Sequence, residues 1–190
     1  MGVTTVKLIY KGKFDGNYDN LPYREHKPNY VKFKEASNAT ELAIKANIVA
    51  IILLILLLVI AFKQGNYLNN WGILLSLLSL FPHEFLHAIC FKEEVYLYTL
   101  LKKGILFVVG NEDMSKTRFI IMSLLPNVVF GIGPYIIGLI IKNSVLTTLG
   151  IFATSMGCGD FINVYNAITQ MPKGARTYLH KFNSYWYMPN

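Results

Sequence analysis

The chain has 190 residues and a net charge of +7; 53% of its residues are apolar, 15% are charged, and its mean hydropathy is +0.38. This is enough chain for one domain, but the composition excludes an ordinary soluble fold of this size, and the apolar residues are gathered into blocks. The basic residues alternate in clusters along the chain, which argues for membrane topology and against a nucleic-acid partner.

Residues 1–42 mix Tyr, Lys, Asn, Asp and Pro, with turn signals at Asp15-Gly16 and Leu21-Pro22. They hold no apolar stretch of the kind a secretory leader needs, so none is expected. They read as a short cytoplasmic segment with at most a hairpin and little core of its own. Ser37-Asn38-Ala39-Thr40-Glu41 then offers a helix start, with Ser37 or Asn38 as the cap and Thr40 or Glu41 three residues on.

The predicted membrane domain covers 43–172. Its first span, 46–62, is uncharged, apolar all round and about one bilayer thick, which suits a packing or substrate-gating element. The second, 71–91, contains His83-Glu84-Phe85-Leu86-His87, and charged or imidazole groups at that depth are costly and usually functional. Runs 95–101 and 105–109, parted by Lys102-Lys103-Gly104, read either as a short cytoplasmic β-hairpin or as a loop with an interfacial helix. The third span, 119–141, carries Pro126, Gly131, Gly133, Pro134 and Gly138. These either kink it beside a polar cavity or allow close helix packing. The fourth, 145–168, holds Asp160, and residues 173–190 form a cytoplasmic tail.

Counted along the chain, Lys and Arg number eight before or at the start of span one, then one, five, one and three in the successive loops and the tail. That alternation predicts both termini in the cytoplasm of a multi-pass protein, with the plasma membrane as the expected location. The expected fold is therefore mainly α, a polytopic membrane protein of about four transmembrane helices. Cys90 and Cys158 fall within or at the ends of spans, as small packing residues would.

Residues four apart on an α-helix are offset by about 40° and about 6 Å of rise, so His83 and His87 aim at one point. Two neutral imidazoles suit Zn²⁺ and leave positions for a third protein ligand and a water. Glu84 stands beside such a metal without needing to bind it, placed to take a proton from an activated water and pass it to a leaving amine. The alternative is that the three groups bond one another or line a transport path.

Asp160 is the best candidate for the third ligand. It is the only acidic residue after Asp113, and on two straight inward spans it and His83 would lie about 22 and 18 Å deep, at similar levels. Gly157 and Gly159 leave room for a close helix approach. Cys90 is a weaker rival, one turn beyond His87, while His26 and His180 read as solvated surface histidines. Asn127 and Asn163 could orient a zinc ligand or donate to an oxyanion, or could pack helices.

These residues resemble the intramembrane metalloproteases of the site-2 protease type, and specifically the small zincin peptidase families related to them. The resemblance runs from 71 to about 172: HExxH on a helix, a β-prone segment, a further helix, and an aspartate beside a glycine on a third. It implies a three-helix core in which His83, His87 and Asp160 hold zinc and Glu84 activates water, acting on a transmembrane or membrane-adjacent peptide. The aspartate stands as Gly159-Asp160-Phe161, the form of the smaller relatives and not the Leu-Asp-Gly of the larger ones, and there is no room for a PDZ-like insert.

The function expected is an intramembrane zinc endopeptidase cutting near the cytoplasmic face. The rival reading is non-catalytic: a membrane metal-binding or transport-associated protein using the same residues, or an inactive protease homologue that binds substrates.

Overall fold

The computed structural model describes residues 7–100 and 105–189. The longest helix, α1 (Ala39–Lys63), starts where the polar flank ends. The Asn38 side chain accepts the Glu41 N–H at 3.0 Å, and the Glu41 carboxylate accepts both the Ser37 N–H and the Ser37 hydroxyl, at 2.8 and 2.7 Å. This reciprocal cap satisfies N–H groups that the first helical turn cannot pair internally. Within Thr40–Lys63 an 18-residue window reaches a mean hydropathy of 2.9, and most of the helix's large side chains face outward.

The expectation of four continuous spans is corrected in two places. The second span divides into two nine-residue helices, α2 (Asn70–Leu78) and α3 (Leu80–Ala88). Pro82 is the cause: it has no N–H for the Leu78 carbonyl, and its ring crowds the turn before it. The fourth span divides at Gly157 into α6 (Ser144–Met156) and α7 (Cys158–Gln170), bent by 56°. By length and apolarity two helical stretches can cross a membrane, Thr40–Lys63 and Lys116–Ile140, or three if the bent pair α6–α7 is one span.

The stretch Lys116–Ile140 comprises α4 (Lys116–Pro126), a widened π-helical segment (Asn127–Ile132) and α5 (Gly133–Ile140). Its glycines serve close packing as well. A Cβ on Gly138 would lie 2.4 Å from the Thr147 backbone nitrogen, so α5 and α6 touch through backbone. The Tyr135 hydroxyl donates to the Leu57 carbonyl at 2.9 Å, and Tyr135, Ala61 and Ile151 form the core that fixes α1 to α5 and α6.

The strands come from the polar segments. The first sheet runs β1 (Leu8–Lys13), β3 (Val95–Leu100), β4 (Ile105–Gly110), with β1 parallel and β4 antiparallel to β3. The residues Lys102-Lys103-Gly104, expected to turn between β3 and β4, lie outside the described residues. The second sheet runs β2 (Val31–Lys32), β7 (Asn183–Tyr187), β6 (Arg176–His180), β5 (Met114–Ser115), antiparallel throughout. Segments read as a bare flank and a tail thus close one sheet. His26, expected as a solvated surface histidine, is exposed, and His180, expected likewise, is half-buried; the two stack on each other with ring centroids 4.1 Å apart. In chain order the strands adjoin the start of α1, the end of α3, the start of α4 and the end of α7; β4 packs against α3, and β5 and β6 against α4.

Candidate metal centre

The site begins with a helical bond that cannot form. Pro126 has no N–H, so the Met122 carbonyl one turn earlier on α4 loses its usual donor. His87 Nδ1 lies 2.9 Å from that oxygen. A carbonyl can only accept, so Nδ1 carries the proton, and in a neutral ring Nε2 keeps its lone pair for whatever lies beyond it.

What lies beyond is Asp160, in the first turn of α7. Its Oδ1 is 3.2 Å from His87 Nε2, and its Oδ2 is 3.1 Å from His83 Nε2. The His87 contact sets a lone pair against a carboxylate, which is repulsive unless a proton or a cation lies between them. Atoms bound tetrahedrally to zinc at about 2.0–2.2 Å stand about 3.3–3.6 Å from one another, and these separations come within a few tenths of an ångström of that edge length. The α7 N-terminus also favours a negative charge on Asp160.

Asn127 holds the carboxylate. Its Nδ2 donates to Asp160 Oδ2 at 2.7 Å and reaches the Gly157 carbonyl at 3.5 Å. Asn127 is only 1% exposed, and this bond places it to orient the Asp160 carboxylate. The close fit depends on Gly157, where a Cβ would come 2.0 Å from Asn127 Oδ1. A Gly157→Ala substitution is therefore expected to cost about 1–3 kcal/mol of stability through overpacking and to loosen metal binding, read by thermal unfolding with and without added zinc. Unchanged zinc-dependent stabilisation in this variant would remove Asn127 from that role.

Glu84 is held from the opposite side. Its Oε2 accepts the Val108 N–H at 3.0 Å, from the outer edge of β4. One ligand atom from each of His83, Glu84 and His87 lies within 4.8 Å of the other two, a group that could hold a metal ion. Glu84, His87, Asp160 and Asn163 face a cavity of about 690 Å³, which extends past Val49 of α1 to Phe182 beside the second sheet. Cys90, the rival ligand, turns its Sγ back to the Leu86 carbonyl at 3.4 Å.

Two partners of the motif escaped the sequence reading, the Met122 carbonyl and the Val108 N–H. Backbone groups carry no residue signature, although Pro126, one turn after Met122, marked the first in retrospect.

Comparison with known proteins gives one family match. Residues 76–176, just over half of the chain, match the family described as "Putative zincin peptidase". The chain matches no curated protein and no solved structure. The matched segment opens before the HExxH helix and closes after Asp160, and so takes in every side chain described around the centre. The chain belongs to this zincin peptidase family, and the cofactor that goes with it is zinc.

Proposed function

We propose that the protein is an intramembrane zinc endopeptidase of the site-2 protease type, with His83, His87 and Asp160 as ligands and Glu84 as general acid–base. The observation that carries this reading is the Asp160 carboxylate set 3.1 Å from His83 Nε2 and 3.2 Å from His87 Nε2 at a buried point. In this reading α1, α2–α3, α4–α5 and α6–α7 are four crossings, of which α2–α3 and α6–α7 are broken. The short links 64–69 and 141–143 join them at the outer side, and both termini and both sheets are cytoplasmic. The lysine and arginine distribution supports that orientation.

Bound zinc would supply Lewis acidity, polarising the scissile carbonyl and making water acidic enough to be deprotonated near neutral pH. Glu84 takes that proton as the water oxygen bonds to the carbonyl carbon, then delivers it to the amide nitrogen as the C–N bond breaks, leaving a carboxylic acid and an amine. The Val108 N–H fixes the carboxylate's orientation for both transfers. The Asn127 amide is committed to Asp160, so Asn163, which lines the cavity, is the one left to donate to the oxyanion. The substrate is a transmembrane or membrane-adjacent peptide, opened to an extended form. The cavity wall includes Ile48 and Val49 of α1 and Phe107 of β4, apolar surface suited to such a segment.

Protein reconstituted in lipid vesicles with a library of single-span peptides should cleave some of them and bind about one zinc per chain. A chelator should abolish cleavage, and stoichiometric zinc should restore it. Cleavage that survives removal of the metal would overturn the reading.

A further inference from the structure

Beyond the centre, a partly buried ion pair connects the three segments that hold it. The Arg118 guanidinium pairs with the Glu112 carboxylate, with side chains 24% and 5% exposed. The same guanidinium donates through Nε and a terminal nitrogen to the Cys90 carbonyl, at 3.0 and 2.6 Å. The second Glu112 oxygen accepts the Lys92 and Glu93 N–H groups, at 2.5 and 3.0 Å. The pair thus gathers the chain just after the HExxH helix, the chain just after β4, and the first turn of α4.

Each of those segments also supplies one half of a contact in the centre. Cys90 follows His87 by three positions. Glu112 follows Val108, whose N–H holds Glu84, by four. Arg118 precedes Met122, whose carbonyl holds His87, by one helical turn. A shift of α4 against α3 moves the Met122 oxygen off His87, and a shift of β4 moves the Val108 N–H off Glu84. The Arg118–Glu112 pair is the shared fastener against both.

A pair kept only for stability could be replaced by apolar packing, often without loss. This one satisfies a helix-end carbonyl and two loop N–H groups, which apolar residues cannot do. Burial works against ionisation of Glu112, but Arg118 and the amide donors outweigh it and hold the carboxyl below its ordinary value.

We propose that Glu112 and Arg118 are positioning residues, which set the placement of Glu84 and His87 around the metal without touching substrate. This rests on the function proposed above. Glu112→Gln keeps an acceptor for the two N–H groups but loses the charge, whereas Arg118→Lys keeps the charge but loses the forked donation to Cys90.

The test uses full-length protein in vesicles, loaded with zinc for kinetics and with Co²⁺ for visible spectroscopy. Both variants should bind metal with wild-type stoichiometry, lose about tenfold to a hundredfold in kcat with little change in KM, and show an altered cobalt spectrum. Tyr135→Phe, which breaks a hydrogen bond remote from the centre, should lower thermal stability and leave the spectrum unchanged. Wild-type kcat and cobalt spectrum in folded Glu112→Gln or Arg118→Lys would overturn the proposal. If either variant fails to fold, the other decides; if both fail to fold while Tyr135→Phe folds, the pair is structural and the proposal falls. A wild-type protein lacking metal-dependent cleavage would instead overturn the peptidase reading, and this inference with it.

Discussion

Replacing Glu84 by Gln is expected to leave zinc in place and to lower peptide cleavage by about a hundredfold to ten-thousandfold, the usual contribution of a positioned acid–base group. The substitution is nearly isosteric. The amide oxygen it introduces still accepts the Val108 N–H that Glu84 accepts at 3.0 Å, so β4 and α3 keep their spacing. The two imidazoles do not depend on this side chain for their orientation, because His87 is fixed by the Met122 carbonyl and both rings face Asp160. What disappears is the ability to take a proton. Zinc content by elemental analysis and single-turnover cleavage rates measure the two quantities separately. Retained cleavage in Glu84→Gln would remove the acid–base assignment. Retained biological activity, together with its loss in His83→Ala, would establish the rival reading of a non-catalytic metal-binding protein.

Replacing Asp160 by Ala should abolish stoichiometric zinc binding, and with it all cleavage. The carboxylate faces both imidazoles, at 3.1 and 3.2 Å, and takes the Asn127 amide at 2.7 Å, so its removal strips three buried polar groups at once. Disturbing a group that merely orients a ligand already costs about tenfold to a hundredfold in metal affinity, and loss of a ligand should exceed that. Asp160→Asn is the informative companion. It retains an oxygen but no charge, and it presents an amide to Asn127, so it should bind zinc more weakly than the wild type and more tightly than Asp160→Ala. Zinc titration against a competing chelator orders the three proteins. Wild-type affinity in Asp160→Ala would remove the residue from the ligand set.

The chemistry of the centre was more legible in the sequence than the shape of the elements that carry it. His83, Glu84 and His87 announce themselves by spacing, because helical periodicity alone makes two imidazoles converge. Asp160 could be found because a solitary carboxylate in an apolar run needs a partner. The straight-helix depth that first associated it with His83 was mistaken in its premise. Asp160 reaches the histidines from the first turn of a helix that begins anew at Gly157, after a 56° bend. Hydropathy registers how apolar a stretch is and says nothing of its continuity, which is why the breaks at Ser79 and Gly157 escaped it.

The sheets were the least legible. β2 and β5 are two residues each, too short for a period-2 pattern, and their partners are remote in sequence: Val31 faces Trp186 and Met114 faces Thr177. No local signal encodes such pairings. β3 and β4 were visible because their branched and aromatic runs are longer and adjacent.

The missing N–H of Pro126 has a meaning of its own in this setting. Most carbonyls inside a helix already accept an N–H from the next turn, so a histidine that must keep one particular tautomer is best served by a carbonyl whose usual donor is missing. A proline one turn downstream makes an acceptor by subtraction. The protonation pattern of His87 is thus written into a different helix, by a residue that carries no proton, no charge and no polar side chain.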